Sequence, residues 1–102
     1  MALYVEKYGG TSVGSVERIN AVAAKVVGEL KAGHQIVVVV SAMSGETNRL
    51  LSLASEINSD PPARELDVLV STGEQVTIAL LCMAINALGE DARSYTGAQA
   101  NI

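Results

Sequence analysis

Across its 102 residues the chain has no tryptophan, no phenylalanine, one cysteine, one histidine and two prolines. The single Cys82 excludes an internal disulfide framework and points to a reducing compartment. His34 has no Ser, Cys or second His near it in the sequence, so it offers neither a catalytic nor a metal constellation. Lys and Arg number 7 against 11 Asp and Glu, a net charge of -4 without a basic cluster, which argues against a nucleic-acid footprint. The first apolar run is interrupted by Glu6 and Lys7 with no leader pattern around it, so the expected location is cytoplasmic. The stretch Val76–Leu88 is uncharged, yet it is short and carries Thr77 and Asn86, so no membrane span is expected.

Aliphatic residues are abundant. Hydrophobic residues reach 49% and are carried by Ala, Val, Leu and Ile, with a mean hydropathy of +0.32. A chain of this length allows one domain at most, burying roughly 65% of its unfolded surface, and residues 1–102 are expected to be a portion of one with no second domain. So much aliphatic surface on so short a chain predicts packing against further protein, as in a fragment or an oligomer.

The pattern predicts a strand over Leu3–Tyr8, followed by the small-residue turn Gly9-Gly10-Thr11-Ser12-Val13-Gly14. Val16, Ile19, Ala23, Val26, Val27 and Leu30 recur at helical spacing, predicting a helix from Ser15 to about Ala32 that Gly33 ends. Ile36–Val40 is an unbroken β-branched run, fitting a strand covered on both faces, and a second small-residue turn, Ser41–Gly45, follows it. Leu50, Leu51, Leu53, Ala54 and Ile57 mark a shorter helix, and Asn58–Pro62 a loop. Arg64–Val70 suits a strand or a helix, with helix preferred; Thr72-Gly73-Glu74 reads as an interruption. Gln75–Leu88 reads as a helix apolar nearly all round, hence buried, and Ala92–Thr96 as a third strand. This order implies an α/β fold, a sandwich on a mainly parallel sheet, with both small-residue turns on the sheet edge where such folds bind ligands.

In the first turn, adjacent glycines let backbone N–H groups approach an anion at a helix N-terminus, and Lys7 beside them offers a positive charge. Neither of the common phosphate-loop or dinucleotide fingerprints is present, so a tight turn with a solvated lysine stands as the alternative. Ser41, Thr47 and Asn48 could bind a carboxylate or phosphate, or serve as caps. Glu74 could pair with a substrate ammonium, or complement a helix dipole from the first turn. Glu46 and Arg49 are ligand contacts or solvated helix-start residues, Cys82 is a small core hydrophobe, and Glu17, Arg18 and Glu29 belong to a wet helix face.

Taken together, Lys7-Tyr8-Gly9-Gly10-Thr11-Ser12, Val39–Asn48 and Val70-Ser71-Thr72-Gly73-Glu74-Gln75 resemble the three N-terminal signatures of the aspartokinases, within the amino acid kinase superfamily. Ser94-Tyr95-Thr96-Gly97 is similar to the family's next strand and turn, and Tyr8 stands where many members have Phe. The resemblance implies a three-layer αβα sandwich, incomplete on its C-terminal side, and transfer of the ATP γ-phosphoryl group to the side-chain carboxylate of L-aspartate. It implies Lys7 as the catalytic cation, and Lys7, Tyr8, Gly9, Gly10 and Ser41 around the nucleotide phosphates. Gly45, Glu46, Thr47, Asn48, Arg49 and Glu74 would then bind aspartate, with Glu74 on its amino group. Mg²⁺ is expected with ATP, no metal ligand is assigned within the chain, and the full-length protein is expected to be a homo-oligomer. Ile102 would fall less than half-way through such a kinase domain, so the chain alone is expected to be inactive. Two other readings are a kinase for another acceptor in the same superfamily, and a non-catalytic anion-binding or subunit-interaction module.

Overall fold

The computed structural model describes residues 1–97 and 99. Two β-branched segments, β1 (Leu3–Tyr8) and β2 (Gln35–Val40), pair in parallel, from Leu3 opposite Gln35 to Tyr8 opposite Val40. A parallel pair requires a crossover, and α1 (Val16–Lys31) supplies it. Ser15 caps this helix, its Oγ accepting the Arg18 N–H at 3.2 Å, while Glu17 in the first turn and Lys31 in the last complement the dipole. Ile19, Val22, Ala23, Val26 and Val27 form its buried stripe. The chain continues through α2 (Glu46–Ile57) and α3 (Ala63–Ala87).

Strand alternation sorts the sheet residues onto two faces. Tyr8, Ile36, Val38 and Val40 pack into the core with α1 and with Leu81 and Ile85 of α3. The other face carries Leu3, Val5, Val37 and Val39, left 63%, 69%, 49% and 47% exposed. The described residues thus build an α/β fold with helices on one side of a parallel sheet; the sandwich's second helical layer is not among them. The molecule measures 50 × 30 × 18 Å, its thinnest dimension matching one sheet with one helical layer. Its radius of gyration, 15.3 Å, exceeds the ~13 Å of a closed 100-residue domain.

β2 is thus open on one face where cover on both was expected, and three further expectations change. The Thr72-Gly73-Glu74 interruption does not occur: α3 is one helix of 25 residues. The hydroxyls of Ser71 and Thr72 bond back to the carbonyls of Val68 and Leu69 at 2.8 and 2.6 Å, so they are satisfied without breaking the helix. Nor is α3 buried all round. Gly73, Thr77, Leu81 and Ile85, at every fourth position, form its buried stripe, whereas Val76 and Met83 are 48% and 64% exposed. At full length the helix is long and apolar enough to cross a membrane, with a mean hydropathy of 1.7 over 18 residues. It packs against α1, α2 and β2, with 22% of that window buried.

The third correction concerns Ala92–Thr96, which forms no strand. The Ala92 N–H is taken by Asn86 Oδ1 at 3.1 Å, and the Thr96 N–H by Gln99 Oε1 at 3.0 Å, so side chains occupy donors that a ladder would use. A cleft of about 630 Å³ separates this segment from β2. His34 is also less free than a surface residue: its Nδ1 accepts the Ala2 N–H at 3.2 Å, and its ring meets Tyr4 edge-on at 4.8 Å.

Candidate active site

At the carboxyl ends of β1 and β2, the two small-residue turns lie in direct contact. The Ser41 N–H donates to the Tyr8 carbonyl at 3.2 Å, prolonging the ladder, and the Ser44 N–H donates to the Gly10 carbonyl at 3.1 Å. The approach is close enough to demand glycine: a Cβ on Gly10 would stand 2.7 Å from the Ala42 carbonyl oxygen. The third motif joins from α3. A Cβ on Gly73 would stand 2.9 Å from the Ala42 Cβ and 3.5 Å from the Glu46 Cγ. Ala42, buried to 7% exposure, is therefore the point on which all three motifs converge.

The first turn is organised through its carbonyl groups. Gly9 O accepts the Ser12 N–H at 3.0 Å, Gly10 O accepts Ser44, and Thr11 O accepts both the Gly14 N–H at 3.3 Å and Arg18 Nη1 at 2.7 Å. With these acceptors engaged, the N–H groups of Gly9, Gly10 and Thr11 have no acceptor among the described residues. Adjacent free N–H groups beside a helix N-terminus make a cradle for an anion. Lys7, exposed at the end of β1, is in neither of the ion pairs found among the described residues.

The remaining predicted residues divide. Gly45 caps α2 with φ +84°, a left-handed conformation that favours glycine, and Thr47 is half-buried in the first turn. Arg49 folds back onto Glu46 through two contacts, Nη2 to Oε1 at 2.6 Å and Nε to Oε2 at 3.1 Å. This hydrogen-bonded pairing holds the Glu46 carboxyl below its ordinary value and the Arg49 guanidinium above its own. Both charges are thus already matched to each other, and Asn48 is exposed beside them. Glu74 lies in the middle of α3, which overturns the alternative of a first-turn acid. It lines the cleft beside β2 with Ser71, Gln75 and Val40, so the third motif faces the same sheet edge as the first two.

Sequence reasoning missed Ala42 and Gly73 as contact points, and it placed Arg18 on a solvated face. The available signal was a glycine retained in an otherwise strong helical run, which marks a close approach more often than a break. Tyr8, assigned to the phosphates, turns its hydroxyl the other way: it donates to Glu6 Oε1 at 2.9 Å and accepts from Lys25 Nζ at 3.1 Å. Burial raises the Tyr8 phenol, and its hydrogen bond raises Lys25. Cys82 lines the cleft from α3, and burial pushes its thiol up, away from nucleophilic reactivity.

Known proteins resemble the chain over its whole length. The chain is 64% identical over 102 residues to an aspartate kinase of Pseudomonas putida. Identity is 65% to an aspartokinase of Pseudomonas aeruginosa and 57% to aspartokinase 2 of Bacillus subtilis. Each alignment covers all of this chain and 25% of the relative, so the chain spans about a quarter of the length of these proteins. Among solved structures, a crystal structure of aspartate kinase from Synechocystis superposes with a TM-score of 0.88 at 49% identity, covering 91% of this chain and 16% of that one. The Amino acid kinase family matches residues 2–102, and the chain belongs to it.

Proposed function

We propose that this sheet edge is the phosphate- and acceptor-binding part of a kinase that transfers the γ-phosphoryl group of ATP to the side-chain carboxylate of L-aspartate. The observation that carries the reading is the first turn, where the Gly9, Gly10 and Thr11 carbonyls are occupied internally and the N–H groups of the same three residues have no acceptor among the described residues. In the reaction an aspartate carboxylate oxygen attacks the γ-phosphorus. The bond to the bridging oxygen breaks, and its electron pair leaves on ADP. Such transfer needs positioning and charge stabilisation more than covalent help from the protein. Lys7 offsets the charge on the moving phosphoryl group, the Gly9 and Gly10 amides hold phosphate oxygens, and Ser41 adds a hydroxyl beside them. The Gly45–Arg49 turn holds the aspartate, and Glu74 pairs with its ammonium group.

Mg²⁺ would accompany the nucleotide and offset phosphate charge. No group of three or more His, Cys, Asp or Glu is gathered to hold a metal among the described residues. The chain's own contribution is therefore assigned to amides, Lys7 and hydroxyls. A cytoplasmic, homo-oligomeric protein of the relatives' length is part of the same proposal.

The test is a graft of this sequence onto the matching quarter of the Pseudomonas aeruginosa aspartokinase, assayed for aspartate-dependent ADP release. Lys7→Ala is expected to lower kcat by about 10²-fold or more, the scale for removing a group that stabilises transition-state charge. Unchanged turnover would overturn the role given to Lys7. Turnover with glutamate or N-acetylglutamate in preference to aspartate would move the proposal to another acceptor.

A further inference from the structure

Arg18 stands in the first turn of α1, its own N–H held by Ser15 Oγ at 3.2 Å. Its guanidinium reaches back to the Thr11 carbonyl at 2.7 Å, beside a shallow groove that Ser12, Lys25 and Tyr8 also line. This is the one side-chain hydrogen bond to the Gly9–Gly14 turn among the described residues; the turn's other bonds are between backbone groups. A charged donor at this distance makes a stronger bond than a neutral one, and the Gly14 N–H that shares the same oxygen is longer, at 3.3 Å.

The consequence follows from the planarity of the peptide group, in which C=O and the next N–H point in opposite directions. Fixing the Thr11 carbonyl toward Arg18 fixes the plane that carries the Ser12 N–H. That N–H is the donor to Gly9 O, so the plane between Gly9 and Gly10 is fixed in turn. The Gly10 N–H, on the opposite side of that second plane, is then held outward with no acceptor among the described residues. Two adjacent glycines have the widest backbone freedom of any dipeptide, so a cradle built on them depends on such a tether.

We infer that Arg18 is a positioning residue for the phosphate cradle, acting through the Thr11 carbonyl and the Ser12–Gly9 hydrogen bond to orient the Gly10 N–H. The inference rests on the kinase reading of the site for its activity test, and it has a second readout that does not. In the grafted kinase, Arg18→Gln is expected to raise KM for ATP by about 5- to 10-fold, the scale of one intramolecular hydrogen bond. KM for aspartate should stay within about twofold, and Arg18→Lys, which keeps a charged donor, should recover most of the loss. In the 102-residue chain itself, Arg18→Gln should speed exchange of the Ser12 amide by about tenfold, leaving the α1 amides of Ala23 and Val26 unchanged. Unchanged KM for ATP and unchanged Ser12 exchange would overturn the inference. So would an equal rise in both KM values with a lowered melting temperature, which marks a general structural role. If the unmutated graft releases no ADP with aspartate or any other acceptor, the kinase reading fails, and the Ser12 exchange rate alone decides whether Arg18 holds the turn.

Discussion

Gly73 of α3 lies directly against Ala42 of the β2–α2 turn, so close that a Cβ on the glycine would stand 2.9 Å from the alanine Cβ. Two effects compete at position 73. An alanine in mid-helix is favoured over glycine by about 1 kcal/mol, whereas overpacking a fitted contact costs about 1–3 kcal/mol. The neighbours at 3.5 and 3.7 Å, Glu46 Cγ and Leu50 Cδ1, leave little room for relief. Gly73→Ala is therefore expected to destabilise in urea, and Ala42→Gly to relieve it. The double-mutant cycle should give a favourable coupling of about 1 kcal/mol or more. Additive effects would mean that the two elements are held apart by something else.

The two glycines of the first turn should respond differently to the same change. A Cβ on Gly10 meets a backbone oxygen at 2.7 Å, which cannot swing aside, whereas nothing lies within 4 Å of one on Gly9. Gly10→Ala is expected to cost about 1–3 kcal/mol and to part the two turns. Gly9→Ala should cost less than about 0.5 kcal/mol. Urea midpoints for the two variants give the comparison directly.

A pH dependence follows from β1 and α1. Glu29 Oε1 is buried without a hydrogen-bond partner among the described residues, and a proton on Glu29 would let it donate to the nearby Glu6 carboxylate. That hydrogen bond raises Glu29 above its ordinary value and lowers Glu6 below its own, with Lys25 nearby favouring the ionised form of both. The raised group contributes stability that is complete below its unfolded value near 4.5 and is lost as pH rises through its folded value. The lowered group contributes above its unfolded value and loses that contribution as pH falls through its folded one. The pair thus favours the fold most when it carries one proton. Glu29→Gln, which mimics the protonated form, should raise the melting temperature at pH 7.5, with the gain shrinking toward pH 4.5. A gain constant across that range would show that no proton is shared.

The local elements were legible because periodicity and caps report on contacts close in sequence. Leu3–Tyr8, the α1 stripe and the β-branched run of β2 each appear where the pattern put them. What escaped was set by contacts far apart in the chain. Thr72-Gly73-Glu74 reads as a break in isolation; its glycine is instead the residue that lets α3 reach Ala42. Ala92–Thr96 has strand composition, but Asn86 and Gln99 take two of its amide donors. Gly9, Gly10 and Ser41 stand on the sheet edge as expected, because strand–turn–helix junctions are local. Arg18 was read from its position on a helical wheel, which gives its face but not how far its long side chain reaches backward.

The cradle in the first turn is made of peptide amides whose orientation is set by carbonyl bonds on the far side of each plane. Peptide amides do not titrate at physiological pH, so the turn keeps the same polarity whatever the proton concentration, and under the proposed function so does its half of the phosphate site. On the proposed kinase reading, any change in nucleotide affinity with pH would then arise elsewhere, as in the ligand's own phosphates.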